Sequence, residues 1–248
     1  RQAVDELNVF ISEFRTRGAS GSNDEFIEIF NATGRKITIG DWKINKSSSC
    51  GVTTDTLVTI TTGVELLPGQ YYLIGNSTGY SGTTPLNQSY TSSKAIADDG
   101  GIALADTSDK IIDQAGMCVG TLYQEGTTLS PLGDNVVQSY ERKSSASIYS
   151  CIDTDNNASD FQRNSGSSNP QNFDSAPTPC LVVTDVTSSV DDTNPFSIDA
   201  SIPIQVIFSN NVNVTGTPTL ELETGATDRT AVYTSGSGTD TLTFTYTV

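Results

Sequence analysis

The densest group of chemically capable residues is one short stretch, Asp153-x-Asp155-x-Asn157-x-x-Asp160, where hard oxygen donors recur along a single loop. Carboxylates and amide carbonyls spaced in this way converge on Ca2+ when the loop curls around the ion. The stretch departs from the EF-hand loop at two decisive positions. Ala158 stands where that loop needs Gly, and Asn164 where it needs the bidentate Glu. The competing reading is that these Asp and Asn side chains cap their own turns. A second acidic cluster, Asp191, Asp192 and Asn194, precedes Pro195 and reads either as a metal site near a domain junction or as a solvated loop. Asp98-Asp99-Gly100-Gly101 reads as a tight turn before a strand. The expectation is that no cofactor is required, with Ca2+ a possible ligand of these loops.

For catalysis the inventory is thin. The chain has no His, which excludes the Ser-His-Asp and Cys-His arrangements. Paired carboxylates for glycoside cleavage could come from Glu13, Glu25 and Glu28. In alternating strands Glu28 shares a face with Phe26 and Phe30, while Glu13 and Glu25 read as lying at strand beginnings, so nothing in the spacing makes the three meet. No Gly-rich phosphate loop sits between a strand and a helix, which argues against a nucleotide site. Among the tyrosines, Tyr80 and Tyr90 lie in the long Gly/Ser/Thr-rich segment from Asn76 to Thr91 and are the candidates for stacking on a sugar; the plainer expectation for a strand tyrosine is a core or cross-strand contact. Asn-x-Ser/Thr sequons occur at Asn31, Asn45, Asn76, Asn87, Asn157 and Asn213. They would carry glycans in a eukaryotic secretory protein and follow from Asn, Ser and Thr abundance in a bacterial one.

Cys50, Cys118, Cys151 and Cys180 are even in number, widely spaced and without a CxxC. With no His to complete a zinc set, two disulfides in an oxidising compartment are expected. Of the three pairings, Cys50 to Cys118 and Cys151 to Cys180 is preferred, because the second pair would tie the last segment of a domain to its exit.

The formal charge of -16 at pH 7 weighs against nucleic-acid binding, which depends on Lys and Arg displacing counterions from phosphates. The acidity is spread over both halves, -7 from Leu181 onward and -9 before it. Calcium or cationic partners are favoured over nucleic acid and acidic lipid. No apolar run approaches the roughly 20 residues of a membrane-spanning helix. The start at Arg1-Gln2, without initiator Met or apolar signal core, fits a mature chain whose export signal has been removed.

These residues must be positioned by strands. From Asn23 to Ile44 apolar and polar residues alternate through Phe26, Ile27, Glu28, Ile29 and Phe30 and again through Ile37, Ile39, Trp42 and Ile44. That predicts a hairpin turning on Asn31-Ala-Thr-Gly34. Further short strands are expected over Val9–Phe14, Leu57–Thr61, Gln70–Gly75, Gly101–Ala105, Lys110–Gln114 and Asn135–Arg142. The turn Asp106–Asp109 joins two of them, and Phe161 anchors the acidic loop. Asn164 to Pro179, rich in Ser, Asn and Pro, reads as a linker. Beyond it five strands are expected in 68 residues, over Leu181–Val186, Ile204–Phe208, Thr219–Glu223, Thr230–Tyr233 and Thr241–Val248.

Ile11-Ser-Glu-Phe14, Asp24 to Asn31, Asp41-Trp42, Leu67-Pro-Gly-Gln-Tyr-Tyr-Leu-Ile74, Asp99-Gly-Gly-Ile-Ala-Leu104, Tyr140-Glu-Arg-Lys143 and Asp153 to Phe161 occur in an order that resembles the bacterial lamin-tail domain over residues 8 to 174. The resemblance implies an immunoglobulin-like β-sandwich from secreted and surface proteins, used as a noncatalytic module often beside a hydrolase or nuclease, with no catalytic residues to transfer. Phe208 to Leu220 and Thr234 to Val248 look like the Ig-like repeats of large bacterial surface proteins. An Ig sandwich needs about seven strands, so the chain is expected to stop inside this second domain.

The fold class expected is therefore all-β, two tandem immunoglobulin-like β-sandwich domains with the second truncated: residues 1–176, a Pro-rich linker at 177–180, and an incomplete repeat at 181–248. The function expected is that of a noncatalytic module of a larger secreted or cell-surface protein, in adhesion, scaffolding or display, with a protein or a cell-surface polymer as partner. The alternatives are a carbohydrate-binding module that targets an attached hydrolase or nuclease to a polysaccharide, and a carboxylate-based glycan hydrolase.

Overall fold

Strand formation follows the alternation, with one break in phase that decides where a carboxylate goes. The first half of the chain forms β1 (Val9–Arg15), β2 (Phe26–Asn31), β3 (Ile37–Thr38), β4 (Lys43–Ser47), β5 (Thr54–Thr59), β6 (Glu65–Leu66), β7 (Tyr71–Asn76), β8 (Gln88–Tyr90), β9 (Gly101–Ala105) and β10 (Ile111–Gly116). β11 (Gln138–Arg142), α1 (Asn157–Asp160) and β12 (Phe161–Ser165) follow. The computed structural model describes residues 9–91, 93–143, 151, 153–178, 180–190 and 196–248.

In β1, Val9 and Ile11 face inward and pair across to β2 in simple register. An irregularity between Ile11 and Glu13 then shifts the phase. A bulge of this kind flips every later side chain to the other face. Phe14 therefore enters the core, and Glu13 points to the outer face as the cross-strand partner of Glu28.

One six-stranded sheet runs β12-β11-β1-β2-β7-β8, with β8 parallel to β7, and a four-stranded sheet runs β10-β9-β4-β5. Their inner faces share one core, in which Phe14 meets Phe161 edge to face with centroids 5.5 Å apart and Trp42, Ile44, Leu104, Tyr72 and Ile74 fill the space between. This is an immunoglobulin-like sandwich, all-β as expected. The disulfide Cys50–Cys118 and the disulfide Cys151–Cys180 are both formed.

The hairpin expected over Asn23 to Ile44 is not there. β2 pairs with β1 and β7, β3 pairs only with β6, and β4 belongs to the other sheet. The chain crosses between sheets at Asp41, whose φ of 67° turns the backbone while its carboxylate accepts from Thr62 Oγ1 at 2.6 Å. Alternation reports that a residue is in a strand and is silent about which strand it pairs with. The turn itself is as read, since Asn31 Oδ1 accepts the Thr33 amide at 2.9 Å.

The segment from Asn164 to Pro179 is also no free linker. Asn164 and Ser165 complete β12, Pro170 and Asn172 are buried, and the Thr178 amide bonds the Gly69 carbonyl at 2.8 Å. The chain divides into two compact units between Cys180 and Leu181. The second unit contains β13 (Val183–Ser188), β14 (Ser201–Val212), β15 (Thr219–Leu222), β16 (Arg229–Ser235) and β17 (Thr239–Thr247), in one antiparallel sheet ordered β13-β14-β17-β16-β15. Ile204, Val206, Leu242, Phe244, Ala231 and Leu220 gather on one of its faces. The alternate residues of β17 are threonines.

Candidate functional site

Arg142, at the end of β11, has no exposed side-chain surface. Its Nη2 donates to both carboxylate oxygens of Asp113 on β10, at 2.8 and 2.7 Å, and its Nε donates to the Ile11 carbonyl at 3.2 Å. Asp153 and Asp160 face its Nη1 at 3.4 and 3.6 Å, and its Cζ stands 4.8 Å from the Phe10 ring centroid and 4.7 Å from that of Phe161. Arginine suits the position because one planar, delocalised guanidinium can hold a carboxylate through one nitrogen, reach a carbonyl through another and lie over aromatic rings at once. Asp113 also accepts the Ile11 amide at 2.6 Å and the Gln114 amide at 2.8 Å. Burial alone would lower the Arg142 pKa; the carboxylates of Asp113 and Asp153 outweigh it and hold the group above its ordinary value. The pair thus ties the two sheets and the acidic loop together.

The four residues singled out in that loop do not form one ligand set. Asn157 is buried, its Oδ1 accepting the Gly116 and Glu125 amides at 2.9 and 3.0 Å and its Nδ2 donating to the Gln114 carbonyl at 2.9 Å. Asp160 accepts from the Thr154 amide and hydroxyl, the hydroxyl at 2.7 Å. Asp155 is exposed at a φ of 51°. Asn156 caps α1 by accepting the Ser159 amide, and the loop lies so close to Gly126 that a Cβ there would stand 2.9 Å from the Asp155 carbonyl oxygen. Capping is the role of Asn156, and anchoring the loop that of Asn157 and Asp160, in this arrangement.

Asp153 instead approaches Asp113 and Glu125, each offering one oxygen within 4.8 Å of the others. Burial, then Asp113 and Asp153, push the Glu125 carboxyl up to about 8 against the pull of Arg142. A site for Ca2+ asks for six to eight oxygen ligands. Here the Asp113 oxygens are already occupied by two backbone amides and the guanidinium, and Arg142 supplies the positive charge, so the donor set as built fits a hard cation poorly. Asp191, Asp192 and Asn194 lie outside the described residues.

A second buried centre is built on Glu25, just before β2. It accepts from Tyr90 Oη at 2.8 Å, Asn76 Nδ2 at 3.1 Å and the Ile96 amide at 2.7 Å. Burial raises its carboxyl to about 7 against those three donors. Tyr90 is therefore a core residue and presents no ring to a sugar. Tyr80 is half-buried, its edge against Phe26 and its hydroxyl on the Thr84 carbonyl at 3.0 Å. Asp24, paired with Arg15, holds the same segment through the Ser81 amide and hydroxyl at 2.9 and 2.6 Å. The stretch from Asn76 to Thr91 is pinned at both ends to the carboxylates that precede β2. Three of the sequon asparagines, Asn31, Asn76 and Asn157, are buried.

Glu13 and Glu28 do meet, as direct cross-strand partners, and Glu141 on β11 stands opposite Glu13 on the other side. Glu13 lies inside β1, not at its beginning, and Glu25 is not part of this row. Glu28 accepts from Ser12 Oγ at 2.5 Å and from the Gln171 amide. Sequence reading missed Asp113, Arg142, Glu125 and Asp24. A signal for one of them was present: Arg142 follows Gln138 and Tyr140 at the inward positions of an alternating strand.

Residues 2–118 match the family model of the Lamin Tail Domain. The match ends at Cys118, whereas the sandwich of this chain continues through β11 and β12. A search among curated proteins found no match. The matched portion contains Glu13, Glu25, Glu28 and Asp113, and the Arg142 side of the network is added by the segment that follows it.

Proposed function

We propose that this chain is a noncatalytic interaction module of a larger secreted or surface-anchored protein, serving adhesion, scaffolding or display to a protein or cell-surface polymer. The observation that carries the reading is the lamin-tail match over residues 2–118, a family of Ig-like modules. Two disulfides support an oxidising, extracellular setting. The charge of -16 favours a cationic partner and disfavours nucleic acid. The groups with chemical reach are also engaged with one another, Arg142 with Asp113 and Glu25 with Tyr90.

The test is solid-phase binding of the full chain to purified extracellular proteins and cell-wall polysaccharides, run beside turnover assays on glycans. Saturable binding without turnover is the expected result. Retention on a polysaccharide that Tyr80→Ala removes would transfer the reading to a carbohydrate-binding module. Glycan turnover abolished by Glu28→Gln in a folded protein would overturn the noncatalytic reading.

A further inference from the structure

The outer face of the six-stranded sheet is where a solvated surface would be expected, yet Glu13 and Glu28 are each only 1% exposed there, beside the buried Phe30 and Tyr71. What covers them is the segment that leaves β12. The Gln171 amide donates to Glu28 Oε2, and the Pro170 carbonyl accepts from Thr84 Oγ1 at 2.8 Å. Asn172 Nδ2 reaches the Pro85 carbonyl at 2.9 Å, and Gln70 Nε2 reaches the Phe173 carbonyl at 3.0 Å. The segment is held at one end by β12 and at the other by Cys180, which is bonded to Cys151. It is a strap tethered at both ends, laid over a row of three glutamates.

The row is electrostatically unbalanced. Neither carboxylate oxygen of Glu13 has a hydrogen-bond partner, although the Ser139 hydroxyl and the Asn169 amide lie beside it. The charged and titratable groups facing Glu13 and Glu28 are Glu141 from β11, Arg15 from β1, Tyr71 from β7 and Tyr80 from the segment after β7. Arg15, the one cation among them, is paired with Asp24. The strap contributes no cation; its single ionisable side chain, Asp174, is exposed. Two neighbouring carboxylates in a dry site repel each other and lack solvation, and protonation removes both costs.

We propose that residues 166–178 are a pH-gated latch, closed over Glu13 and Glu28 while these are protonated and lifted when both ionise, uncovering the outer face of the β1–β2–β7 sheet. The direction follows from linkage. Burial raises the Glu13 carboxyl from 4.5 to about 7, and burial raises Glu28 well above its ordinary value, with Glu13 and Glu141 adding to the effect. The closed form therefore holds its protons more tightly than the open one. Closure is fully supported below about pH 4.5 and is lost as pH rises through about 7 and beyond. The strap lifts without dissociating, because β12 and the Cys151–Cys180 bond keep its ends in place.

Amide hydrogen exchange on the full, disulfide-intact chain at about pH 5 and about pH 9, expressed as protection factors, tests this. Protection of the 167–178 amides should fall roughly tenfold or more at the higher pH while β2 and β7 keep theirs. In Glu13→Gln, which keeps the shape and cannot ionise, most of that fall should disappear. Equal protection of the strap at both pH values would overturn the proposal. So would a loss shared by the whole sandwich, which is general destabilisation, or a fall unchanged in Glu13→Gln. Glu28→Gln read in the same way decides the matter if Glu13→Gln does not fold.

Discussion

At the scale of residues the molecule is held by buried charges that satisfy one another. Asp113 accepts two backbone amides and, on both of its oxygens, Arg142 Nη2, which offsets the hydration it loses on burial. Such a pair is weak evidence of net stabilisation compared with an apolar pair of the same shape, but removing one partner leaves the other buried and uncompensated. Arg142→Met should lower stability by about 3–5 kcal/mol in urea unfolding, and Asp113→Asn added to it, which removes the uncompensated charge and keeps an acceptor for the backbone amides, should recover part of the loss. Recovery is the informative outcome, since a purely steric role for Arg142 would make the two substitutions additive.

At the scale of elements, loops that look loose in sequence are fastened from below. The acidic loop hangs on Asn157, Asp160 and Phe161, and the 76–91 segment hangs on Asp24 and Glu25. The disulfides add covalent closure over 68 and 29 residues. Loop-closure entropy puts their contributions at about 4.4 and 3.6 kcal/mol. Cys50→Ser with Cys118→Ser should therefore lower the thermal midpoint more than Cys151→Ser with Cys180→Ser, as read by circular dichroism. The latter change should also release one end of the strap, so that its protection falls even at acid pH.

At the scale of the whole molecule the two units are unequal. The sandwich buries a large continuous core across two sheets, whereas among its described residues the second unit buries a small cluster, Val206, Ala231, Leu242 and Phe244, on a single sheet. Burial of apolar area is the main favourable term in folding, so the unit from Leu181 to Val248 should melt first. Calorimetry of the full chain, with residue-resolved exchange to assign the transitions, checks this. A single transition shared by all strands would show that the smaller unit is stabilised by something beyond its own core.

The amino-acid sequence alone determined the strands, because alternation of apolar and polar residues is local and a pleated backbone reads it directly. It determined the class of the fold through the order of Ile11–Phe14, Asp24–Asn31 and Leu67–Ile74, and the oxidised state of the cysteines through their number and spacing. Partners across space were decided only by the tertiary structure. The pairing of β2 with β7, the bulge that turns Glu13 away from the core, and the placement of Asp113 beneath Arg142 join residues far apart in the chain. Local pattern carries no information about which distant groups meet. The roles of Asp153, Asn157, Tyr90 and Glu28 rest on such meetings: a carboxylate on a turn and a carboxylate under a strap have the same one-letter symbol, and only burial and the neighbouring donors distinguish them.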